Sequence, residues 1–209
     1  QPMGFYPSSM LITEARRMNV EVRAIDVLHS RWDCQLEADA RGRAAIRLGL
    51  RLVQGCNEAA AQRIVAARAS QGLVDVDALA RMAELNTREL EALASANALH
   101  SLAGHRHQAR WQTRGRVRLD GLLRDTSIVD DAVALAAPNE GEEILADYQS
   151  TRLTLRRHPV ALLRERLARY RITPNAELAT LADTQPVRVA GLVMFRQRPG
   201  SAKGTLFIT

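Results

Sequence analysis

The stretch Leu50 to Arg68, LRLVQGCNEAAAQRIVAAR, constrains the chain more than any other. A Gly55-Cys56-Asn57 corner separates an apolar run from an alanine-rich helix, an order that calls for two helices packed closely across a tight turn. Gly55 reaches positive φ at no steric cost, and Asn57 is among the few other residues that visit that region readily. Cys56 between them has the size and polarity of a plug in the gap between two helices. Such a turn leaves amide N–H groups of the corner and of the next helix's first turn without internal partners, at the positive end of a helix dipole. This is the geometry of a helix-hairpin-helix unit, and a DNA phosphate satisfies its donors whatever the base sequence. A plain connecting turn in a small bundle uses the same residues; the small side chains of AAAQRIVAAR, which permit close helix approach, favour the hairpin.

The pattern recurs. Asp75 is placed to cap a helix carrying Leu79, Ala80 and Met82. A corner at Glu84-Leu85-Asn86 then leads into a helix with Leu90, Leu93 and Ala94. The two halves form an internal duplication of about 30 residues per unit. Glu84 stands where glycine is expected and brings a charge that phosphate repels, so the second corner is expected to pair with the first rather than bind DNA equally well. Arg63 and Arg68, on the helix after the first corner, either add positive charge to a phosphate path or are simply solvated.

Elsewhere the periodicity is plain. Met10, Leu11, Ala15 and Met18 share a helix face that ends at about Asn19, and Val20, Val22 and Ala24 alternate as in a strand. CQLEADARGRAAIRLGL reads as two extended runs about a turn at Ala40-Arg41-Gly42. Asn139 with Glu142 forms a capping-box start, and Pro159 fits the first turn of a further helix bearing Leu162, Leu163, Leu167 and Tyr170. Val187, Val189, Gly191 and Val193 alternate as a strand, with RQRPGSAKG separating it from TLFIT. The fold class is thus mainly α with a small β part.

Composition narrows the partners. The formal charge of +6, carried almost wholly by arginine, suits polyanions, because the guanidinium fork binds two phosphate oxygens at once; a GC-rich genome, which favours arginine and alanine, would leave the same trace. Cys34 and Cys56 are far apart and form no CxxC pair, consistent with a reducing, cytoplasmic setting. No apolar run reaches the roughly 18 residues of a membrane span. The first residue is not Met and the last stretch stops within what reads as a strand, as expected of a piece of a longer protein.

Taken together, QPMGFYPSSMLITEARRMNVEVRAIDV, IRLGLRLVQGCNEAAAQRIVAAR, ADYQSTRLTLRRHPVALLR and VRVAGLVMFRQRPGSAKGTLFIT resemble the C-terminal part of bacterial C-family DNA polymerases, the DNA polymerase III alpha subunits. TLRRHP and RQRPGSAKG look most like the error-prone, translesion branch. The resemblance implies that residues 1–45 are the end of a fingers domain, 46–111 a tandem helix-hairpin-helix region gripping duplex DNA, 112–184 a helical connector and 185–209 the start of a truncated OB-fold. It also implies that the metal-binding palm aspartates, with their Mg2+, lie upstream, so this segment has no catalytic residues or cofactor of its own and is inactive alone. Partners implied are duplex DNA, a single-stranded template, and other replication or mutagenesis proteins. Arg196, Arg198 and Lys203 would sit in a loop between the first OB strands and guide single strands, with Phe195 either stacking on a base or buried in the core.

Other candidates are weaker. His105 and His107 lack a third ligand and are read as surface or nucleic-acid-facing rather than as a zinc site. His158 is expected to cap a helix. Asp130-Asp131 and Glu140-Glu142-Glu143 are read as solvated helix ends. Rival classes are an interaction scaffold docking proteins on the apolar helices around Leu145 and Leu163, and a freestanding nuclease, for which no catalytic carboxylates are found.

Overall fold

The computed structural model describes residues 6–38, 41–70, 73–116, 133–193, 195–202 and 204–208. They fall into two compact units, residues 1–156 and residues 157–209. The boundary lies inside the stretch read as one connector.

The first unit opens with α1 (Ser8–Arg17), closed by Asn19 at φ 59°, as the sequence suggests. A small sheet follows, made of β1 (Glu21–Arg23), β2 (Gln35–Ala38) and β3 (Ala44–Arg47) in the order β1-β3-β2. β2 and β3 form the expected hairpin, whereas the parallel pairing of β1 with β3 (Val22 opposite Ile46) was not legible, because the partners are separated by a loop. Glu37 on β2 accepts hydrogen bonds from Arg47 (3.0 Å) and Arg23 (2.7 Å), tying the three strands by charge on the half-buried face that also carries Ala45.

After the sheet, Gly49 passes so close to the chain at Trp32 to Cys34 that a Cβ there would lie 2.3 Å from the Trp32 carbonyl oxygen. A single 3-10 turn (Leu50–Leu52) replaces the full first helix expected of the first hairpin. Then come α2 (Glu58–Ser70), α3 (Val76–Met82), α4 (Thr87–Ser95), α5 (His100–Ala103) and α6 (Arg106–Gly115). On α2, Ala60, Ala61, Ile64 and Ala67 fall on one buried face, and the small size of the three alanines lets α3 pack directly on it. They join one core with Val27, Leu48, Leu50, Val53, Leu79, Leu90, Leu93 and Leu99. Burial of a side chain such as Leu93, with 0% exposure, contributes about 2 kcal/mol.

The helix α7 (Glu140–Thr151) packs on α4 and begins with the capping box foreseen at Asn139 and Glu142. Glu143, read as a solvated helix end, is instead only 4% exposed, because it faces the buried guanidinium of Arg106 at 2.8 Å. Asp130 and Asp131 lie outside the described residues.

The second unit contains α8 (Pro159–Leu162), α9 (Arg164–Arg169), a 3-10 segment (Asn175–Thr180) and a two-stranded antiparallel ladder of β4 (Arg196–Gln197) with β5 (Phe207–Ile208). His158 caps α8 as expected, its ring nitrogen accepting from the Val160 amide at 3.3 Å. The strand expected over Val187 to Val193 does not form among the described residues; the hairpin is displaced toward the chain end, since alternation marks an extended chain but supplies no partner for its backbone. Among the described residues no helix is long and apolar enough to cross a membrane.

Candidate nucleic-acid interface

Gly55 adopts φ +89°, the conformation its place in the corner requires. Cys56 packs half-buried against the core, as the plug, and burial pushes its thiol pKa up to about 11, with the Glu89 charge adding to the rise. Asn57 departs from expectation. It is absent from the positive-φ residues and acts as the helix cap: its Oδ1 accepts the Ala60 amide at 2.8 Å, while its carbonyl accepts Ala61 N–H at 3.1 Å. An asparagine at this position satisfies a first-turn donor, a role that local sequence alone did not separate from the left-handed one.

The second corner repeats the first residue for residue. Glu84 occupies the left-handed position at φ 48°, Leu85 is the plug at 5% exposure, and Asn86 caps α4 in a complete capping box with Glu89. A duplicated corner thus has three roles in order: a left-handed residue, an apolar plug and an asparagine cap.

Around the first corner, Cys56 N–H donates to the Val53 carbonyl at 3.2 Å, and Gln54 N–H donates to the Ser150 carbonyl of α7 at 2.8 Å. Among the described residues nothing accepts from the amides of Gly55, Asn57, Glu58 or Ala59. These four donors cluster at the N-terminal end of the 13-residue α2, where the helix dipole favours an anion.

Arg63 and Arg68, read as added or solvated charge, turn inward. Arg63 donates to both carboxylate oxygens of Glu89 at 3.1 and 3.0 Å and to the Ala83 carbonyl at 2.8 Å. Glu89, 6% exposed, also accepts the Asn86 amide and lies 3.5 Å from the Asn57 side-chain amide. One carboxylate therefore locks both corners together, and Arg63 neutralises it. Arg68 donates to the Ser30 and Val27 carbonyls at 2.7 and 3.2 Å, fastening the loop before β2; its pKa is lowered, first by burial and then by Arg31. Glu89 was missed in the sequence because it reads equally well as an exposed capping-box residue.

Two other arginines face the corner. A cleft of about 450 Å³ beside Gly55 is lined by Gln54, Arg88 of α4, Ser95, Arg110 of α6 and Gln149 of α7. Arg88 is exposed, and among the described residues Arg110 donates only to Ser95 Oγ at 3.3 Å. Arg88, one residue past the start of α4, could have been found by its closeness to the Asn86 cap; Arg110 reaches the corner only through the packing of α6 on α4.

The remaining candidates separate. Arg196 lies in β4 rather than in a loop, and Arg198 follows it; both are exposed, as is Phe195 at 63%. Lys203 lies outside the described residues. His105 caps α6 by accepting the Gln108 amide, and its other ring nitrogen pairs with the Leu135 carbonyl at 3.0 Å; His107 pairs with the Ala136 carbonyl at 3.0 Å. The two histidines thus fasten the segment before α7 to α6. Among the described residues no group of His, Cys, Asp or Glu is arranged to hold a metal ion.

Comparison with known proteins agrees with this geometry. Residues 19–109 match the family model described as the helix-hairpin-helix motif. The chain is 54% identical to a protein of Azoarcus sp. (strain BH72), 50% identical to one of Alkalilimnicola ehrlichii and 46% identical to one of Pseudomonas aeruginosa, each named error-prone DNA polymerase. In every case 100% of this chain aligns with 20% of the relative, so the chain spans a fifth of the length of the curated relatives it matches. Over its whole length the chain is similar to one segment of proteins named error-prone DNA polymerase, and residues 19–109 of this chain carry the helix-hairpin-helix match.

Proposed function

We propose that this chain is the duplex-gripping segment of an error-prone DNA-directed DNA polymerase acting in the cytoplasm during repair and translesion synthesis. It holds primer-template DNA by sequence-independent contacts to phosphate, while phosphoryl transfer with Mg2+ is carried out by palm carboxylates outside this chain, which is inactive by itself. The observation that carries the reading is the Gly55 corner, with four amides that have no acceptor among the described residues at the head of α2. Arg196 and Arg198, exposed beside Phe195, form a second contact, to single-stranded template, to which the sequence adds Lys203.

Binding of the chain to a short duplex, measured against salt, tests the proposal. Log affinity falls linearly with log salt, by about 0.9 for each phosphate neutralised, and is indifferent to sequence. Gly55→Val, which disfavours positive φ, abolishes retention on DNA; a flat salt response overturns the reading.

A second reading is favoured by the exposure of Leu145 (60%) on α7 of the first unit and, separately, of Leu163 (50%) just after α8 of the second: apolar side chains on each unit that dock other proteins of a mutagenesis complex. On that reading Gly55→Val leaves capture of the partner proteins intact, and Leu145→Asp removes it.

A further inference from the structure

The cleft beside Gly55 joins pieces that are distant in sequence: the first corner, the second helix of the second hairpin, α6 and α7. Its charges do not balance. Among the groups that line it, Arg88 and Arg110 are cationic and only Glu91 is anionic, and Glu91 lies 3.6 Å from Arg114. Among the described residues Arg110 has a hydroxyl as its hydrogen-bond partner and no carboxylate within ion-pair distance; burial, then the neighbouring Arg106 and Arg114, lowers its pKa, against a smaller opposing pull from Glu143 and Glu91. A guanidinium partly withdrawn from water beside other cations is a costly arrangement unless an anion shares the space.

The wall of the cleft runs up to Gly55, where an added Cβ would sit in ordinary contact, 3.4 Å from the Cβ of Ala92, itself a lining residue, so it is the positive φ rather than lack of space that favours glycine there. Gln54 and Gln149 add uncharged polar groups at the rim. These features describe a recess for a compact, multiply charged oxyanion, with planar forks on one side and the left-handed corner on the other.

We propose that this cleft binds one phosphate group, held jointly by Arg88 and Arg110 next to the Gly55 corner. The second hairpin thereby contributes to the grip through the body of α4, although its own corner carries Glu84. The inference deepens the DNA-binding reading above and rests on it; the chemistry is that of a phosphate, and its source is a DNA strand rather than a free polyphosphate.

The test uses the whole chain with Arg88→Gln, Arg110→Gln, the double variant, Gly55→Val, and Arg16→Gln on α1 as a surface-charge control. Duplex affinity is measured from 0.1 to 1 M salt, and inorganic tripolyphosphate is titrated separately while the Gly55 amide resonance is followed. Each cleft variant lowers the log-log salt slope by about 0.9, which is about an eightfold loss of affinity at 0.1 M salt relative to 1 M. The double variant loses no more slope than either single, because both forks hold the same phosphate. Tripolyphosphate moves the Gly55 resonance of the wild type and not of the double variant, and duplex DNA displaces it.

If the cleft variants behave as Arg16→Gln does while Gly55→Val loses DNA, the cleft proposal falls and the hairpin reading stands. A slope loss of about two in the double variant means two separate phosphates and overturns the shared site. Tripolyphosphate that DNA cannot displace overturns the assignment of the source. Should every variant, Gly55→Val included, bind duplex like wild type, the DNA-binding reading itself fails.

Discussion

Arg106→Met isolates the device that holds α7 in place. The Arg106 side chain is 2% exposed and sits between Glu143 and Asp147, at 2.8 and 2.5 Å, while also donating to the Glu143 carbonyl at 3.0 Å. Removing it leaves Glu143, 4% exposed, with Arg156 as its remaining cation at 3.1 Å; Arg156 is itself 39% exposed and less able to compensate. Breaking a buried pair from one side costs about 4 kcal/mol, because a charge is left without its partner in a poor solvent. For a unit of this size the loss corresponds to a drop in melting temperature of roughly 8–16 °C. The network is nevertheless imperfect: Arg106 Nε and Glu143 Oε2 are buried without a well-aligned hydrogen bond, although Oε2 lies within ion-pair distance. Replacing Arg106, Glu143 and Asp147 together by Met, Leu and Leu therefore recovers most of the loss. Urea titrations of the single and triple variants, followed by far-ultraviolet circular dichroism, measure both quantities. A loss below about 1 kcal/mol for Arg106→Met, the value of an exposed pair, refutes the reasoning. Because α7 supplies the Ser150 carbonyl to Gln54 N–H, the single variant also loosens the first corner and weakens DNA binding.

Three further outcomes follow from the same geometry. Gly49→Ala forces a Cβ to within 2.3 Å of the Trp32 carbonyl oxygen, backbone that cannot yield without moving the sheet, so urea titration shows a loss of about 3 kcal/mol or more. The Glu37 pKa is held low, chiefly by its hydrogen bond from Arg47, so its contribution is present above the unfolded carboxylate value and lost as pH falls through the lowered one; the stability gap between wild type and Glu37→Gln, clear at neutral pH, closes in acid. Cys56, raised to about 11 from an ordinary 9.0, keeps its proton in the folded state, so its contribution is complete below pH 9.0 and fades as pH climbs toward 11; at pH 8 iodoacetamide modifies exposed Cys34 well before Cys56, by mass spectrometry of timed samples.

What the sequence determined by itself is local. The left-handed residue at position 55, the plug at Cys56, the caps at Asp75, Asn139 and His158, and the repeat of the corner at Glu84-Leu85-Asn86 each depend on a few adjacent residues, whose φ preferences and side-chain reach are properties of the chain. Asn57 marks the edge of that reach, because an asparagine suits both a left-handed turn and a helix cap, and the path of the following helix selects the cap. Tertiary structure alone decided the destination of the charges. Arg63 and Arg68 lie on α2 at helical spacing from a buried face and read as surface cations, yet Glu89 and the Ser30 carbonyl, remote in sequence, draw them inward. Arg88 and Arg110, which the sequence did not single out, remain beside the corner, and among the described residues the acceptor folded against them is Ser95, on Arg110. A guanidinium's role is set by which acceptor the fold brings within about 3 Å, and that distance is written in the packing of helices rather than in the neighbours along the chain.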